Sequence, residues 1–364
     1  MSTEYRKTLP MNTPKRRPDR RIRAWSTAAL VAAVGFTAAC SSSKEGIASP
    51  NVPRAGEGIG NNGLPGAPTT PPKPCGPEAT ADHLPGDKLP GPQDQDPAGG
   101  TLSKIRARGF LIAGIDLNTY LFGYDPHHTN QPQGFDIDIA KAMARAVFGE
   151  DGHVQFRVVT LADPATGEWK QLQDGNVDLV VRTTTITCAR MQGDRRMNFS
   201  NPYYTAEQKL LMPLGDDGKP QATALTGLKG KKVCATKNST AIETIKAQAG
   251  ADAAYPVPNS LDCLALLQQD QVDAIFTDDA LLRGMAAQDP HVALTTAPPV
   301  QKQPYGIVTK YDPAKPNDLT PFVNSALANL IADAGPSGWA QLYANDLQTK
   351  PSGPPEIPDH YPLG

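Results

Sequence analysis

Two short segments of this chain repeat one another. Gln173–Val181 reads Q-D-G-N-V-D-L-V-V, and Gln269–Phe276 reads Q-D-Q-V-D-A-I-F. Each follows a helical pattern and opens an apolar run, so each marks a helix-to-strand passage inside an α/β unit. The surroundings agree. Phe110–Ile115 is a short apolar run of buried-strand type. From Asp136 to Phe148, apolar residues fall at Ile137, Ala140, Met143, Ala144 and Val147, a helical spacing that Gly149 stops. Val154–Thr160 reads as a strand, Glu168–Gln173 as a short helix and Val177–Val181 as a strand. The order then restarts, with strands at Lys231–Ala235, Pro256–Pro258 and Val272–Thr277 and helices at Ala241–Ala249, Ser260–Gln269 and Ala280–Gln288. A strand at Tyr305–Thr309 and helices at Asp318–Ala334 and Ser337–Asp346 return to complete the first unit. Alternation of this kind implies mostly parallel sheet covered by helices. Its repetition predicts two similar lobes, crossed twice by the chain, with a ligand cleft between them.

The N-terminal third is different. Residues 1–39 carry eight bases and two acids, and Ala24–Phe36 is apolar but too short to span a bilayer. A basic region, a short apolar core and small residues before Cys40 predict an export signal over 1–39. Thr37-Ala38-Ala39-Cys40 followed by three serines resembles a bacterial lipobox, with Thr37 where an aliphatic residue is usual. That places a lipid anchor on Cys40, and several acyl chains on one residue hold a membrane stably. Residues 41–100 contain 12 Pro and 11 Gly, the composition of a tether, so 40–100 is read as a disordered spacer.

Without residues 1–39 the chain has 27 bases against 35 acids, a charge of −8 rather than the −2 of the whole sequence. Nucleic-acid binding needs clustered Lys and Arg, so it is excluded as a reading. There is no G-x-x-x-x-G-K-[ST] and no C-x-x-C. His127-His128 are adjacent with no third ligand in view, so no metal and no cofactor is expected. Cys75, Cys188, Cys234 and Cys263 remain, an even number for an oxidising compartment. Three pairings are possible, and buried free thiols are the alternative. Cys234–Cys263 is favoured because both fall in one lobe, at a strand end and a helix start; Cys75–Cys188 then follows.

Four segments in order carry a resemblance: Gly134–Asp138 (G-F-D-I-D), Asp178–Thr187 (D-L-V-V-R-T-T-T-I-T), Asn198–Tyr204 (N-F-S-N-P-Y-Y) and Val272–Asp279 (V-D-A-I-F-T-D-D). Over about residues 104–345 the sequence resembles the type II periplasmic solute-binding proteins for polar amino acids. With its lipobox, tether and paired cysteines it is similar to the actinobacterial glutamate/glutamine-binding lipoproteins. The resemblance implies an α/β fold of two Rossmann-like lobes joined by a two-strand hinge. Lobe 1 is then 101–206 with 303–347, lobe 2 is 207–302, and 348–364 is a tail. It also implies a monomer that captures a polar L-amino acid outside the cytoplasmic membrane and hands it to an ABC permease. A membrane sensor is the alternative partner, and an enzyme on the same scaffold, using Asp116, Glu168 or Asp278, is a third reading.

The residue roles follow from the same resemblance and from the chemistry of a zwitterion. Its carboxylate is matched by Arg190, five residues after Thr185, and by the helix start at Ser239 and Thr240. The run from Arg190 to Phe199 is longer than is usual in the family, so Arg195 and Arg196 stand as alternatives. The ammonium is matched by the Thr183 carbonyl, the Thr185 hydroxyl and Asp278; the other reading of Asp278 is a helix cap. Asp116 and Arg182 are placed at the ligand's side-chain end, with a mutual ion pair as the other reading of Arg182. Lys237 is a further candidate cation, or a solvated surface charge. Tyr120 is expected as an apolar wall or as a core tyrosine, Trp169 as packing, and Asp136 and Asp138 as helix N-terminal charges.

Overall fold

The computed structural model describes residues 75, 99–161, 166–220, 224–314 and 318–362. The expected export signal, Cys40 and all of the expected tether except Cys75 and residues 99–100 lie outside these. The described chain begins with α1 (Thr101–Arg108), closed by Gly109 in the left-handed region. Next come β1 (Leu111–Ile115), α2 (Phe135–Phe148), β2 (Val154–Val158), α3 (Glu168–Gln173), β3 (Leu179–Val180) and α4 (Cys188–Met191). A long strand, β4 (Asn198–Pro213), leads to β5 (Val233–Thr236), α5 (Thr240–Gln248), β6 (Ala254–Val257), α6 (Ser260–Gln268), β7 (Ala274–Asp278), α7 (Asp279–Ala286) and β8 (Val292–Leu294). β9 (Lys302–Thr309), α8 (Leu319–Ala332) and α9 (Trp339–Leu347) complete the fold.

The strands follow the order β2-β1-β3-β9-β4-β7-β5-β6, with β8 on β4. β2, β1 and β3 are parallel, as are β6, β5 and β7. β4 and β9 run antiparallel to one another between these two sets and join two Rossmann-like lobes. β4 pairs with β9 from Asn198 to Glu207 and with β7 from Gln208 to Leu211, so one strand serves both lobes.

The repeated V-D step has a structural cause. Asp178 sits just before β3; its backbone N–H donates to the Ile112 carbonyl, and its Oδ2 accepts the Ile112 N–H at 2.7 Å. Asp273, just before β7, makes the same reciprocal pair with Lys232, accepting its N–H at 2.8 Å. Each Asp also meets a base, Arg108 or Lys231. One residue therefore locks the start of two neighbouring parallel strands in each lobe.

Each lobe packs apolar clusters against its sheet. Phe135 and Ile139 of α2 meet Phe322 and Val323 of α8, while Leu172, Val177 and Phe199 pack in a second cluster. In the other lobe, Ile242 and Ile245 of α5 lie in one cluster and Leu264 and Leu267 of α6 in another. Both disulfides form as expected, Cys75–Cys188 and Cys234–Cys263. The first ties residue 75 to the start of α4. Beside it Tyr361, 2% exposed, donates its N–H to the Cys75 carbonyl, and Cys188 donates its N–H to the Pro362 carbonyl. The C-terminal segment is thereby fixed to the first lobe.

Several elements differ from the expected spans. β3 is two residues rather than five, and β5 and β7 each begin two residues later than expected. β4 and α1 carried no clear periodic signal. β4 is interrupted at Asn201-Pro202, where the pairing with β9 shifts register.

Candidate functional site

The C-terminal ends of the parallel strands and the N-termini of α5 and α7 meet at a cavity of about 460 Å³, open mouth included. Arg182, Thr183, Thr185 and Arg190 line it from the first lobe, and Ser239, Thr240 and Asp278 from the second. Asp116 also reaches it, from the end of β1.

Arg190 is positioned by its own turn. Thr187 caps α4 by accepting the Arg190 N–H at 3.2 Å, and Arg190 Nη1 donates to the Thr185 carbonyl at 2.7 Å. No carboxylate lies within ion-pair distance of it among the described residues, and burial lowers its pKa while Glu168 pulls the other way. The guanidinium nevertheless stays protonated. It therefore faces the cavity as a cation without an anion. Arg195 and Arg196 are elsewhere, over the rings of Trp169 and Tyr311. Trp169 packs against the second cluster of the first lobe, as expected.

Asp278 stands at the other side, 7% exposed, at the end of β7 and the start of α7. Its Oδ2 accepts the Tyr305 hydroxyl at 2.6 Å, and its Oδ1 is buried with no hydrogen-bond partner. It makes no side-chain cap. Burial, with Asp279 beside it, pushes the carboxyl up to about 7 against Tyr305 and Arg190. Asp279 turns the other way, accepting the Glu207 N–H and pairing with Arg283. A buried acceptor oxygen in a cavity that also holds a lone guanidinium is an arrangement for a zwitterion.

Ser239 caps α5, accepting the Ile242 N–H at 3.3 Å. Thr240 donates to Gln303 Oε1 and accepts from Gln208 Nε2, so both crossing strands hold the start of α5. Thr183 adopts φ 53°, rare for a β-branched residue, and its N–H donates to the Tyr203 hydroxyl at 3.1 Å. Tyr203 in turn donates to Asp136. Asp136 lies in the first turn of α2 as expected, but it is a buried group 1% exposed and is pushed up to about 7, burial being the main cause. Asp138 pairs with Lys141.

Arg182 and Asp116 form the ion pair that was the alternative reading, at 3.3 Å, and Arg182 also pairs with Glu168 at 2.8 Å. Tyr120 does not line the cavity. The turn closed by Thr119 and Gly123 carries it to the side, against Tyr124 and under Gly284 of α7. The apolar wall is Leu161 and Leu281 instead. Neither stands out in sequence, since an isolated leucine at a strand or helix end carries no site signal. Lys237, His127 and His128 are exposed. No group of three metal-ligating side chains occurs among the described residues.

Comparison with known proteins places this arrangement. The family of bacterial extracellular solute-binding proteins, family 3, matches residues 111–335, more than half of the chain. The chain belongs to that family. It is 32% identical over 252 residues to the ABC transporter glutamine-binding protein GlnH of Bacillus subtilis (strain 168), covering 69% of this chain and 86% of that protein. It is 26% identical to the glutamate-binding protein GluB of Corynebacterium glutamicum over 56% of this chain and 68% of that one. Among solved structures, an ancestral arginine-binding protein bound to glutamine superposes with a TM-score of 0.57 at 28% identity, covering 66% of this chain and 99% of that one. The ancestral arginine-binding protein shares the α/β fold described above. No helix among the described residues is long and apolar enough to cross a membrane.

Proposed function

We propose that this chain captures a polar L-amino acid (glutamate, glutamine, aspartate or asparagine) outside the cytoplasmic membrane and delivers it to an ABC importer, without transforming it. The observation that carries this reading is the pair across the cavity, an Arg190 guanidinium without an anion and an Asp278 oxygen without a donor. The ligand carboxylate docks on Arg190 and on the N–H groups that open α5. Its ammonium donates to Asp278 Oδ1, the Thr185 hydroxyl and the Thr183 carbonyl. Lobe 1, residues 101–206 and 303–347, and lobe 2, residues 207–302, close on it by bending β4 and β9. The sequence of residues 37–43 supports a lipid anchor at Cys40, with 40–100 as the spacer and 1–39 as the export signal. The glutamine- and glutamate-binding relatives support both the ligand class and the importer.

A thermal-shift screen against the twenty amino acids tests this directly, because a ligand that binds only the folded protein raises its melting temperature. The reading requires a shift with at least one of the four named amino acids, and recovery of that ligand chemically unchanged. A flat response to all twenty would reject it.

A further inference from the structure

Beside the Arg190–Asp278 pair the cavity adjoins a smaller pocket; Asp116, Arg182 and Ser260 line both, and Asn118, Val159 and Asn259 line the smaller one. A ligand held by its two charged ends as proposed above would turn its side chain toward this shared boundary, the neck of the cleft. The charged groups there are not equivalent. Glu168, 3% exposed, holds Arg182 Nη1 at 2.8 Å and accepts the Thr184 hydroxyl on the same oxygen at 2.8 Å. Asp116 meets Arg182 Nη2 only at 3.3 Å. Its oxygens already accept the Asn118 N–H and side-chain amide, each at 3.1 Å, and the Thr119 hydroxyl at 3.0 Å. Asp116 thus keeps three donors when the outer edge of Arg182 turns to another partner. Glu168 lines neither compartment, and its second oxygen is buried without a hydrogen-bond partner.

We propose that Glu168 is the positioning residue of the side-chain end of the cleft. By fixing Arg182 it presents guanidinium N–H donors at the neck and selects amino acids whose side chain ends in a carboxylate or carboxamide oxygen. The inference rests on the amino-acid reading above and adds to it a residue that does not touch the ligand. A cationic side chain would bring a like charge against Arg182, beside an Asp116 whose oxygens already accept from Asn118 and Thr119. A short apolar side chain would leave the Arg182 edge and the second compartment without a partner.

The test is calorimetric titration of the full-length chain with aspartate, glutamate, asparagine, glutamine, alanine, arginine and lysine, on the wild type, Glu168→Ala and Glu168→Gln. The wild type should prefer at least one of the first four over alanine, arginine and lysine by roughly ten- to a hundredfold, the range of one hydrogen bond to a charged group. Glu168→Ala should lose that preference while alanine affinity holds. Glu168→Gln keeps an acceptor for Arg182 and removes one negative charge, so it should retain the preference over alanine. It should also move the acid-to-amide affinity ratio toward the acids by roughly tenfold. Tighter wild-type binding of arginine or lysine overturns the inference. So does an equal loss for every ligand in Glu168→Ala, which is what a purely structural role produces. If Glu168→Ala does not fold, an unchanged acid-to-amide ratio in Glu168→Gln overturns it alone. Absence of binding by any amino acid would remove the amino-acid reading itself, a result distinct from lost selectivity with binding intact.

Discussion

Arg190 has no ion-pair partner among the described residues, and Asp278, though it accepts from Tyr305, keeps one buried oxygen without a hydrogen bond. Both lie where water is scarce. Replacing Arg190 by Ala should therefore weaken amino-acid binding by about 2–4 kcal/mol, the scale for truncating one member of a buried charged pair; near-wild-type affinity by calorimetry would remove its role. Asp278 gives a pH dependence of defined sign. Its folded pKa of about 7 is raised from 3.8, mainly by burial. Its contribution to the stability of the empty protein is therefore full below about 4 and is lost as pH rises through about 7. Binding runs the opposite way, because the ammonium needs the carboxylate. Affinity should rise between pH 6 and pH 8, and Asp278→Asn should bind weakly and flatten the profile. A wild-type affinity constant across that interval would contradict the assignment.

At the scale of elements, the two V-D steps do more than start strands. Asp178 pins β3 to β1 through both its backbone and its side chain, and Asp273 pins β7 to the residue before β5. These are the strands whose ends carry the cleft. Asp178→Ala leaves the Ile112 N–H without its acceptor and should lower unfolding free energy by about 1–3 kcal/mol, the cost of an unsatisfied buried donor. Denaturant titration measures it, and a change within about 0.5 kcal/mol, the ordinary surface range, would show that the pair is dispensable. The repeat was legible in the sequence because the same hydrogen-bonding problem recurs in both lobes and has the same short side chain as its answer. β4 was not legible. It changes partners midway, from β9 to β7, and where burial does alternate, over Tyr204–Leu210, one buried position is the polar Gln208, which breaks the apolar pattern in the sequence.

For the molecule as a whole, one contact joins the two lobes. Gly284 of α7, in the second lobe, lies against the Tyr120 turn of the first. A Cβ there would stand 2.6 Å from the Tyr120 carbonyl oxygen. If the lobes open and close as proposed, opening relieves that clash and closing over a ligand restores it. Gly284→Ala should thus weaken ligand binding by roughly tenfold, or ~1.4 kcal/mol. It should leave the empty protein as stable or slightly more so, because Ala is the better helix residue. Loss of stability without loss of affinity would show that this contact does not open with the lobes.

Composition and local pattern were enough for the two α/β lobes and most helices and strands, whereas the roles at the two ligand ends came from the family resemblance. Periodicity, caps and a repeated Asp are encoded within a few residues of one another. Three assignments needed the folded chain. Arg190 was separated from Arg195 and Arg196 only by which guanidinium a short helix turns into the cavity. Tyr120 was drawn aside by a turn closed between Thr119 and Gly123, and Glu168 reached the cleft solely through Arg182, fourteen positions further along the chain. Direction of a side chain and contact between remote segments are properties of packing in three dimensions, and no local periodicity carries them.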